Sequence, residues 1–254
     1  VHQHKSLKRP EVEAEVVGYA ADLAVLAYVT QIVPPNVFDK PRLGSICFHP
    51  SLLPKYRGGS AVNWQIIRGE TETGVTMFWV DPGIDTGPIL LQRRAVIGPE
   101  DTAGSLYYDT LFPLGVQTVV DSVELIAAGD PPRKVQDESQ ATYDPLCRDE
   151  HAGIDWSRPA AEIYNLIRGC DPQPGAHAKL EGSEVRLYDA RLELGGDHMP
   201  GVVENVGDAG LTIGARGGAI TVQRIRCEAG KVAASEFAAV AKVEPGATFT
   251  SGAD

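Results

Sequence analysis

The chain has 254 residues, of which 43% are hydrophobic, which is enough for one large domain or two modest ones with separate cores. The formal net charge is −11, and the acidic excess is spread out, with 13 basic and 20 acidic residues in 1–154 and 10 and 14 in 155–254. A large nucleic-acid contact is therefore not expected, because such contacts need a basic surface. No uninterrupted apolar run reaches about 18 residues, so a membrane span is not expected either.

The cysteines indicate the cellular compartment, and the first residue bears on whether the N-terminal part of the protein is present in this chain. Cys47, Cys147, Cys170 and Cys227 form no CxxC pair, and their spacing fits neither a zinc site nor a disulfide framework. Free thiols suit a reducing compartment, which predicts a cytoplasmic location. The first residue is Val1 rather than methionine and no signal-peptide pattern follows it, so we expect that N-terminal material is missing.

The first half of the chain alternates between helical and strand-like patterns. The predicted elements, in chain order, are a helix over 13–21, a strand over 23–29, a strand over 44–48, a helix over 61–68 with Ser60 as its N-cap and strands over 74–80 and 88–96. A long helix follows, which Asp101 and Thr102 are predicted to cap, Pro113 to kink and Gly129 to end after about residue 128. Strand and helix that alternate in this way indicate an open α/β sheet.

The second half has a different texture. A polar stretch over 131–153 is predicted to be a linker at the surface, and a helix with Ser157 at its cap and Pro159 in its first turn is predicted to end near Gly169. Short strands separated by glycine turns follow, and they indicate a small barrel or sandwich. These strands are predicted at 176–181, 184–189, 201–206, 210–215 and 218–226. The predicted domains are therefore 1–130 and 154–254, joined by the linker.

His49 and Asp85 are the candidate reacting groups. In open α/β sheets, ligands bind beyond the carboxyl ends of the strands. His49 follows an apolar strand, Asp85 lies in the loop after the next strand, and residues 30–34 follow a third, so we expect all three at one edge of the sheet. A histidine can carry a proton near neutral pH, and a nearby carboxylate stabilises its charged form. The alternative is a structural histidine at a strand end.

Two other catalytic interpretations are weighed against this one. Residues 85–87 (DTG) match the aspartic-protease signature, but that mechanism needs a second such motif, which the sequence lacks, and the α/β pattern does not fit. Cys47 shares a strand face with His49, and together they suggest a Cys–His nucleophilic pair. A small buried cysteine is the preferred interpretation, because free cysteine is among the most buried residue types.

Residues 48–58 (FHPSLLPKYRG), followed by residues 81–87 (DPGIDTG), carry a family likeness. Both motifs, in this order and at this separation, resemble the formyltransferase family that uses 10-formyltetrahydrofolate. This family includes methionyl-tRNA, sugar and hydroxyornithine formyltransferases and the hydrolase domain of 10-formyltetrahydrofolate dehydrogenase. The likeness continues through Trp64, the long helix, residues 155–156 and the late β region, so it covers nearly the whole chain.

The resemblance implies a fold and a set of site residues. The fold is α/β, a Rossmann-like open sheet whose N-terminal strands are missing from this chain, followed by a small β-barrel like the oligonucleotide-binding fold. His49 corresponds to the catalytic histidine and Asp85 to the catalytic aspartate. The residues implied to bind folate are Gln31, Ile32 and Val33 in one loop and Ser51, Leu52, Leu53 and Pro54 in another.

Cys47 departs from the pattern of most family transferases. These have an Asn-X-His triplet, whose amide helps to hold the formyl oxygen, whereas residues 47–49 here are Cys-Phe-His. A thiol is a weak donor, and loss of one oxyanion donor costs about 3 kcal/mol. The hydrolase domain of the dehydrogenase also lacks this asparagine, and it resembles the chain at residues 60–64 (SAVNW) and 87–93 (GPILLQR). The hydrolase-like branch is therefore favoured, and Cys47 is a candidate site residue.

The resemblance implies formyl transfer or release with 10-formyltetrahydrofolate as donor and tetrahydrofolate as leaving group. Neither a metal nor a nicotinamide cofactor is implied. One alternative is an N-formyltransferase whose acceptor is the amine of methionyl-tRNA, an amino sugar or hydroxyornithine. The other is a folate-binding module without turnover.

Overall fold

The computed structural model describes residues 1–252, which divide into two compact units. One unit comprises residues 1–61, 72–96 and 108–144, and the other comprises 62–71, 97–107 and the described residues from 145 to 252. The predicted architecture, an α/β part and a curled antiparallel β part, is confirmed. The domain boundaries at 130 and 154 remain a prediction.

The first unit is built on a four-stranded sheet with the order β1-β2-β3-β4. Its elements are α1 (Pro10–Gly18), β1 (Ala24–Leu26), α2 (Pro35–Phe38), β2 (Ser45–His49), β3 (Glu72–Trp79), β4 (Ile89–Val96) and α5 (Phe112–Ala127), and a 3₁₀ turn follows at Glu138–Gln140. Only β1 and β2 are parallel, because β3 runs antiparallel to both β2 and β4. The sheet is therefore mixed.

The helices before α5 show how local signals set element ends. Thr102 caps α4 (Ala103–Ser105) through a reciprocal capping box with Ser105, as the sequence predicted for the start of this helical region. A π-helical turn at Leu106–Leu111 separates α4 from α5. Pro113 lies just after this π-helical turn, inside a helical run that continues from Ala103 to Ala127, and the kink at Pro113 stays a prediction. Gly129, with φ +86°, ends α5 as predicted.

The helical run Ala103–Ala127 is long and apolar enough, by length and composition alone, to cross a membrane. The sequence expectation considered only uninterrupted apolar runs, whereas an average over 18 residues tolerates interspersed polar side chains. One such helix is weak support for a membrane span, because a core helix passes the same test. Ile126 of α5 packs in a buried cluster with Ile46 of β2 and Met77 of β3. The absence of membrane contact stays a prediction.

The second unit is built on a curled antiparallel sheet with the order β11-β5-β6-β9-β8-β7, in which β10 pairs with β9. Besides α4, its elements are α3 (Ala61–Ile67, of which Ala61 belongs to the first unit), a 3₁₀ turn (Asp149–His151), α6 (Ala160–Gly169), β5 (Ala176–Leu180), β6 (Ser183–Leu194), β7 (Val203–Gly207), β8 (Gly210–Ala215), β9 (Gly218–Cys227), β10 (Gly230–Ala233), α7 (Ala234–Ala241) and β11 (Phe249–Thr250). Its core is one large cluster under α6 and α7. All five predicted strands exist, while β10, α7 and β11 were not predicted.

Candidate active site

Strand β2 places Cys47 and His49 on one face of the first sheet, because alternate residues of a strand share a face. Cys47 pairs with Phe78 of β3, and His49 pairs with Thr76. The opposite face carries Ile46, which packs into the buried cluster with α5. Because side chains alternate between the two faces of β2, Cys47 and His49 lie on the face opposite to the core that packs against α5.

His49 is buried, with only 5% of its surface exposed. Its Nε2 lies 2.6 Å from the backbone carbonyl oxygen of Tyr56. A carbonyl oxygen can only accept, so Nε2 carries the proton in the neutral ring and Nδ1 keeps its lone pair. The tautomer fixed by Tyr56 therefore leaves Nδ1 as the atom that can take up a proton.

Asp85 lies beside this free nitrogen. Its Oδ2 is 3.6 Å from Nδ1 of His49, which is too long for a hydrogen bond but close enough for a strong charge interaction. The same oxygen accepts a hydrogen bond of 2.7 Å from the backbone N–H of Gly58. Asp85 adopts φ +56°, a left-handed conformation that Asp and Asn tolerate better than most residues. The pair is thus arranged to stabilise a protonated ring once Nδ1 has gained a proton.

The two residues meet by a route that differs from the one expected. Because β3 is antiparallel to β2, the carboxyl ends of these strands lie at opposite edges of the sheet, and Val80, just after β3, bonds to Ser45 at the start of β2. The loop after β3 must therefore turn back along the sheet to bring Asp85 to His49. Gly87 allows this close return, since a Cβ there would lie 1.7 Å from the carbonyl oxygen of Trp79. The two side chains lie together as expected, but the reason for the expectation was wrong, because the antiparallel β2 and β3 do not end at one edge.

Burial controls the charge of His49. Desolvation lowers the pKa of His49 below its ordinary value, and the neighbouring carboxylate of Asp85 and the carbonyl of Tyr56 partly oppose this. The net shift of the His49 pKa is downward, because the ring is almost fully buried and Asp85 makes no hydrogen bond to it. His49 is therefore neutral at pH 7, which is the form that a general base needs.

This lowered pKa predicts a pH dependence of stability. Below about 6.5, the ordinary value, the unfolded chain binds a proton at His49 more readily than the folded chain does, so stability is lost as the pH falls. The slope from this one group is at most about 1.4 kcal/mol per pH unit. Chemical denaturation of wild type and His49→Gln between pH 7.5 and 5 should give a flatter dependence for the variant. Parallel curves would contradict this account of His49.

Cys47 does not have the properties of a nucleophile. Burial raises the pKa of its thiol to about 12, and the charge of Asp85 adds to this. The Sγ donates to the backbone carbonyl of Phe48 at 3.6 Å and packs against a small cluster of Leu53, Phe78 and Ile89. A neutral, inward-bonded thiol behaves as a small apolar group. Cys47 is only partly buried, and its place in the site stays a prediction.

The loop of residues 50–54 is held from beneath by the sheet. Thr76 donates to the carbonyl of Ser51 and accepts from the N–H of Leu53, and Gln92 donates to the carbonyl of Leu53. The hydroxyl of Ser51 donates to the carbonyl of Lys55, so it serves the loop itself. Ser51 and Leu53 are buried, while Leu52 and Pro54 are partly exposed. Leu52 and Pro54 are therefore the better placed of the four to meet a ligand.

The other predicted binding residues lie after β1. Since β1 is parallel to β2, the loop that contains Gln31, Ile32 and Val33 leaves the sheet at the edge where His49 ends β2. The side chain of Gln31 accepts from the backbone N–H of Leu7. Ile32 is 70% exposed, although it is a large apolar residue. This position at the sheet edge agrees with the sequence expectation, whereas the binding role stays a prediction.

Gln136 was missed by the sequence analysis, because it lies in the stretch interpreted as a surface linker. It is buried, and its amide donates to the backbone carbonyls of Asp85 and Gly87 while accepting from the guanidinium of Arg57. Arg57 in turn forms a two-bond ion pair with Glu138. No local pattern around Gln136 marks it, because its partners are about 50 and 80 residues away in the sequence.

Within residues 1–252, no group of three or more histidine, cysteine or acidic side chains is arranged to hold a metal ion.

Comparison with known proteins gives two family matches and several relatives. Residues 2–120 match the formyl transferase family, and residues 147–242 match the formyl transferase C-terminal domain. Mouse mitochondrial 10-formyltetrahydrofolate dehydrogenase is 41% identical over 245 residues, which cover 92% of this chain and 26% of that protein. Methionyl-tRNA formyltransferase of Geobacter sulfurreducens is 38% identical over 248 residues, which cover 97% of this chain and 77% of that protein. The chain thus spans about a quarter of the dehydrogenase.

Solved structures of related proteins superpose on most of this chain. HypX from Aquifex aeolicus in complex with tetrahydrofolic acid superposes with a TM-score of 0.74 and 26% identity, over 91% of this chain and 41% of that one. The sugar 3N-formyl transferase WlaRD, solved with dTDP and 5-N-formyl-tetrahydrofolate, superposes with a TM-score of 0.62 and 25% identity, over 78% of this chain and 70% of that one.

Proposed function

Because this chain belongs to the formyl transferase family, we propose that it removes the formyl group from 10-formyltetrahydrofolate, with His49 and Asp85 as the reacting pair. The observation that carries the proposal is the buried neutral imidazole whose free Nδ1 lies 3.6 Å from the Asp85 carboxylate. A base next to a fixed negative charge is suited to take a proton from an attacking nucleophile.

In the proposed reaction, His49 transfers the proton and Asp85 stabilises the charge on the ring. Water attacks the formyl carbon while Nδ1 of His49 takes its proton, and the carboxylate of Asp85 stabilises the imidazolium that results. The tetrahedral intermediate then breaks its bond to N10 of the folate, and the imidazolium returns the proton to that nitrogen. The products are formate and tetrahydrofolate. An amine acceptor would follow the same path, with the formyl group ending on its nitrogen.

The folate would be held by two loops at this edge of the sheet. One contributes Ser51, Leu52, Leu53 and Pro54, whose backbone is fixed by Thr76 and Gln92. The other contributes Gln31, Ile32 and Val33, and the exposed side chain of Ile32 offers apolar surface to a flat ring. Solved relatives named for bound tetrahydrofolate or formyl-tetrahydrofolate support this choice of ligand.

Cys47 favours the hydrolase-like branch, in which water is the acceptor. Its thiol already donates to the carbonyl of Phe48 and packs among apolar side chains, so it does not serve as the polar donor that the Asn-X-His transferases have. An apolar group at this position is the feature that the sequence shares with the dehydrogenase hydrolase domain, and 41% identity to the mouse protein supports the same choice.

An N-formyltransferase is the second candidate, and it is favoured by the match to methionyl-tRNA formyltransferase over 77% of that protein. Its acceptor would be the amine of methionyl-tRNA, an amino sugar or hydroxyornithine. The acidic excess is spread evenly along the chain, so a large tRNA contact is not expected.

We also propose a reducing, cytoplasmic location, since the four cysteines form no disulfides in the described part of the chain.

A single assay separates the two acceptor classes. We expect the full chain to release tetrahydrofolate from 10-formyltetrahydrofolate at a rate that does not change when methionyl-tRNA, a dTDP-amino sugar or hydroxyornithine is added, with formate as the product. Tetrahydrofolate is followed by absorbance and the formylated product by mass spectrometry. Release that requires one of the amines would contradict the hydrolase assignment and name the acceptor.

The Cys47→Asn variant serves as the comparison in this assay. If an amide at this position sets the branch, the variant should gain formyl transfer to an amine relative to wild type. Unchanged transfer would mean that Cys47 does not decide the acceptor.

A further inference from the structure

We propose that Gln136 is a positioning residue that holds Asp85 against His49. The inference rests on the proposed function, because it concerns the same reacting pair. Gln136 lies some 50 residues after Asp85 in the sequence, and the family motifs around His49 and Asp85 do not include it.

The side-chain amide of Gln136 uses its full hydrogen-bonding capacity. Its Nε2 donates to the carbonyl oxygens of Asp85 at 2.9 Å and Gly87 at 2.7 Å, and its Oε1 accepts from Nε of Arg57 at 3.2 Å and Nη2 at 2.9 Å. An amide has two N–H donors and two acceptor lone pairs, so all four are occupied. The partners also fix its orientation, because carbonyls can only accept and a guanidinium can only donate.

These bonds act on the turn that carries the catalytic carboxylate. Asp85 has φ +56°, and its carbonyl and that of Gly87 are both drawn to one nitrogen of Gln136. A left-handed backbone costs energy even for an aspartate, so bonds such as these help to hold it. Without Gln136, two partly buried carbonyls would lose their partner, and the turn would be free to relax away from His49.

The other half of the amide acts on the loop after β2. Arg57 is 6% exposed, and its guanidinium is held between Gln136 and Glu138. The residues on either side of Arg57 make the two backbone hydrogen bonds of the reacting pair. The carbonyl of Tyr56 accepts from Nε2 of His49, and the N–H of Gly58 donates to Oδ2 of Asp85. One amide therefore ties together the loop that orients His49 and the loop that presents Asp85.

The test compares two substitutions of Gln136 with one of Gln140. Gln136→Met keeps the volume and removes all four bonds, whereas Gln136→Glu keeps the acceptor for Arg57 and removes the two donors to the loop of Asp85. Gln140→Met is the control, because Gln140 is exposed in the same segment and its amide bonds to the neighbouring Ser139 rather than to the loop of Asp85. We expect kcat for tetrahydrofolate release to fall about 10- to 100-fold in both Gln136 variants, since a misplacement of about 1 Å costs that much. The Kd for 5-formyltetrahydrofolate should stay within about twofold of wild type in all three variants.

A double-mutant cycle separates positioning from a general structural role. In an Asp85→Asn background, the Gln136→Glu substitution should have little further effect on kcat, because the residue it positions no longer acts. Equal fold losses in both backgrounds, or wild-type kcat in both Gln136 variants, would overturn the inference.

A readout without turnover keeps the inference separate from the proposed function. The ring ¹⁵N shifts of His49, assigned by their loss in His49→Gln, should move in Gln136→Met towards their values in Asp85→Asn. If wild type releases no tetrahydrofolate but the shifts move in this way, the proposed function fails and the positioning stands. If wild type is active and the shifts do not move, the positioning fails and the function stands.

Discussion

Replacement of His49 by alanine is expected to lower the release of tetrahydrofolate from 10-formyltetrahydrofolate by about 10²- to 10⁴-fold, the usual contribution of a general base. The structure leaves Nδ1 of this ring without a proton, because Nε2 donates to the carbonyl of Tyr56. The neighbouring Cys47 cannot take this role, because burial keeps its thiol protonated. The rate is measured under saturating substrate, and binding of 5-formyltetrahydrofolate is measured in parallel.

Two further variants make the result interpretable. His49→Gln keeps most of the buried volume and leaves a donor for the carbonyl of Tyr56, so it guards against a loss that comes only from unfolding. His198→Ala, in the loop between β6 and β7 of the second unit, should retain wild-type activity. If wild type and His49→Ala bind folate alike and neither turns it over, the chain is a folate-binding module. A fully active His49→Ala would remove the histidine from the mechanism.

Local sequence signals predicted the elements that carry the site. The apolar run before His49 is β2, the alternating residues after Gly74 are in β3, and glycine turns separate the strands of the second unit. Thr102 and Gly129 were recognised as ends of the long helical region, because each acts through contacts within a few residues. Such features are encoded by neighbours in the chain and can be read without knowledge of the fold.

Long-range pairing could not be read in the same way. Periodicity predicts β2 and β3 as strands but does not give their relative direction, so the antiparallel pairing and the returning loop were not foreseen. The polar composition of residues 131–144 suggested a solvated linker, yet Gln136 and Asp144 are buried there. A polar residue that satisfies its hydrogen bonds with distant partners has the same sequence pattern as one that faces water.

The family resemblance supplied the pairing of His49 with Asp85, and the geometry changes what that pairing means. A carboxylate that orients a histidine accepts a hydrogen bond from the ring, as in serine-protease triads. Here the ring is oriented by Tyr56 instead, and the carboxylate lies 3.6 Å from a nitrogen that has no proton to donate. Asp85 therefore stabilises the neutral ring only weakly, and its electrostatic stabilisation of the ring increases when Nδ1 gains a proton. An interaction that strengthens along the reaction coordinate is the kind that raises kcat.

This difference predicts the effect of Asp85→Asn. We expect kcat to fall on the order of 10²- to 10³-fold, the equivalent of the 2 to 3 pKa units by which a close opposite charge favours a charged group. Asparagine tolerates φ +56°, and its oxygen can still accept from the N–H of Gly58, so the backbone of the loop should persist. The same neutral oxygen would then face Nδ1 of His49 in place of the carboxylate, so the imidazolium would lose the charge that stabilises it.

The matched control is Asp81→Asn in the same loop. The Oδ1 of Asp81 accepts from the N–H of Gly83 and the hydroxyl of Thr86, and an asparagine oxygen can accept both bonds. This variant removes the same charge from the same loop but should change kcat less than about threefold, because it does not face the ring. An equal loss in both variants would mean that the net charge of the loop matters, rather than the position of one carboxylate. A loss confined to Asp85→Asn, with folate affinity retained, would place the effect on the protonated state of His49.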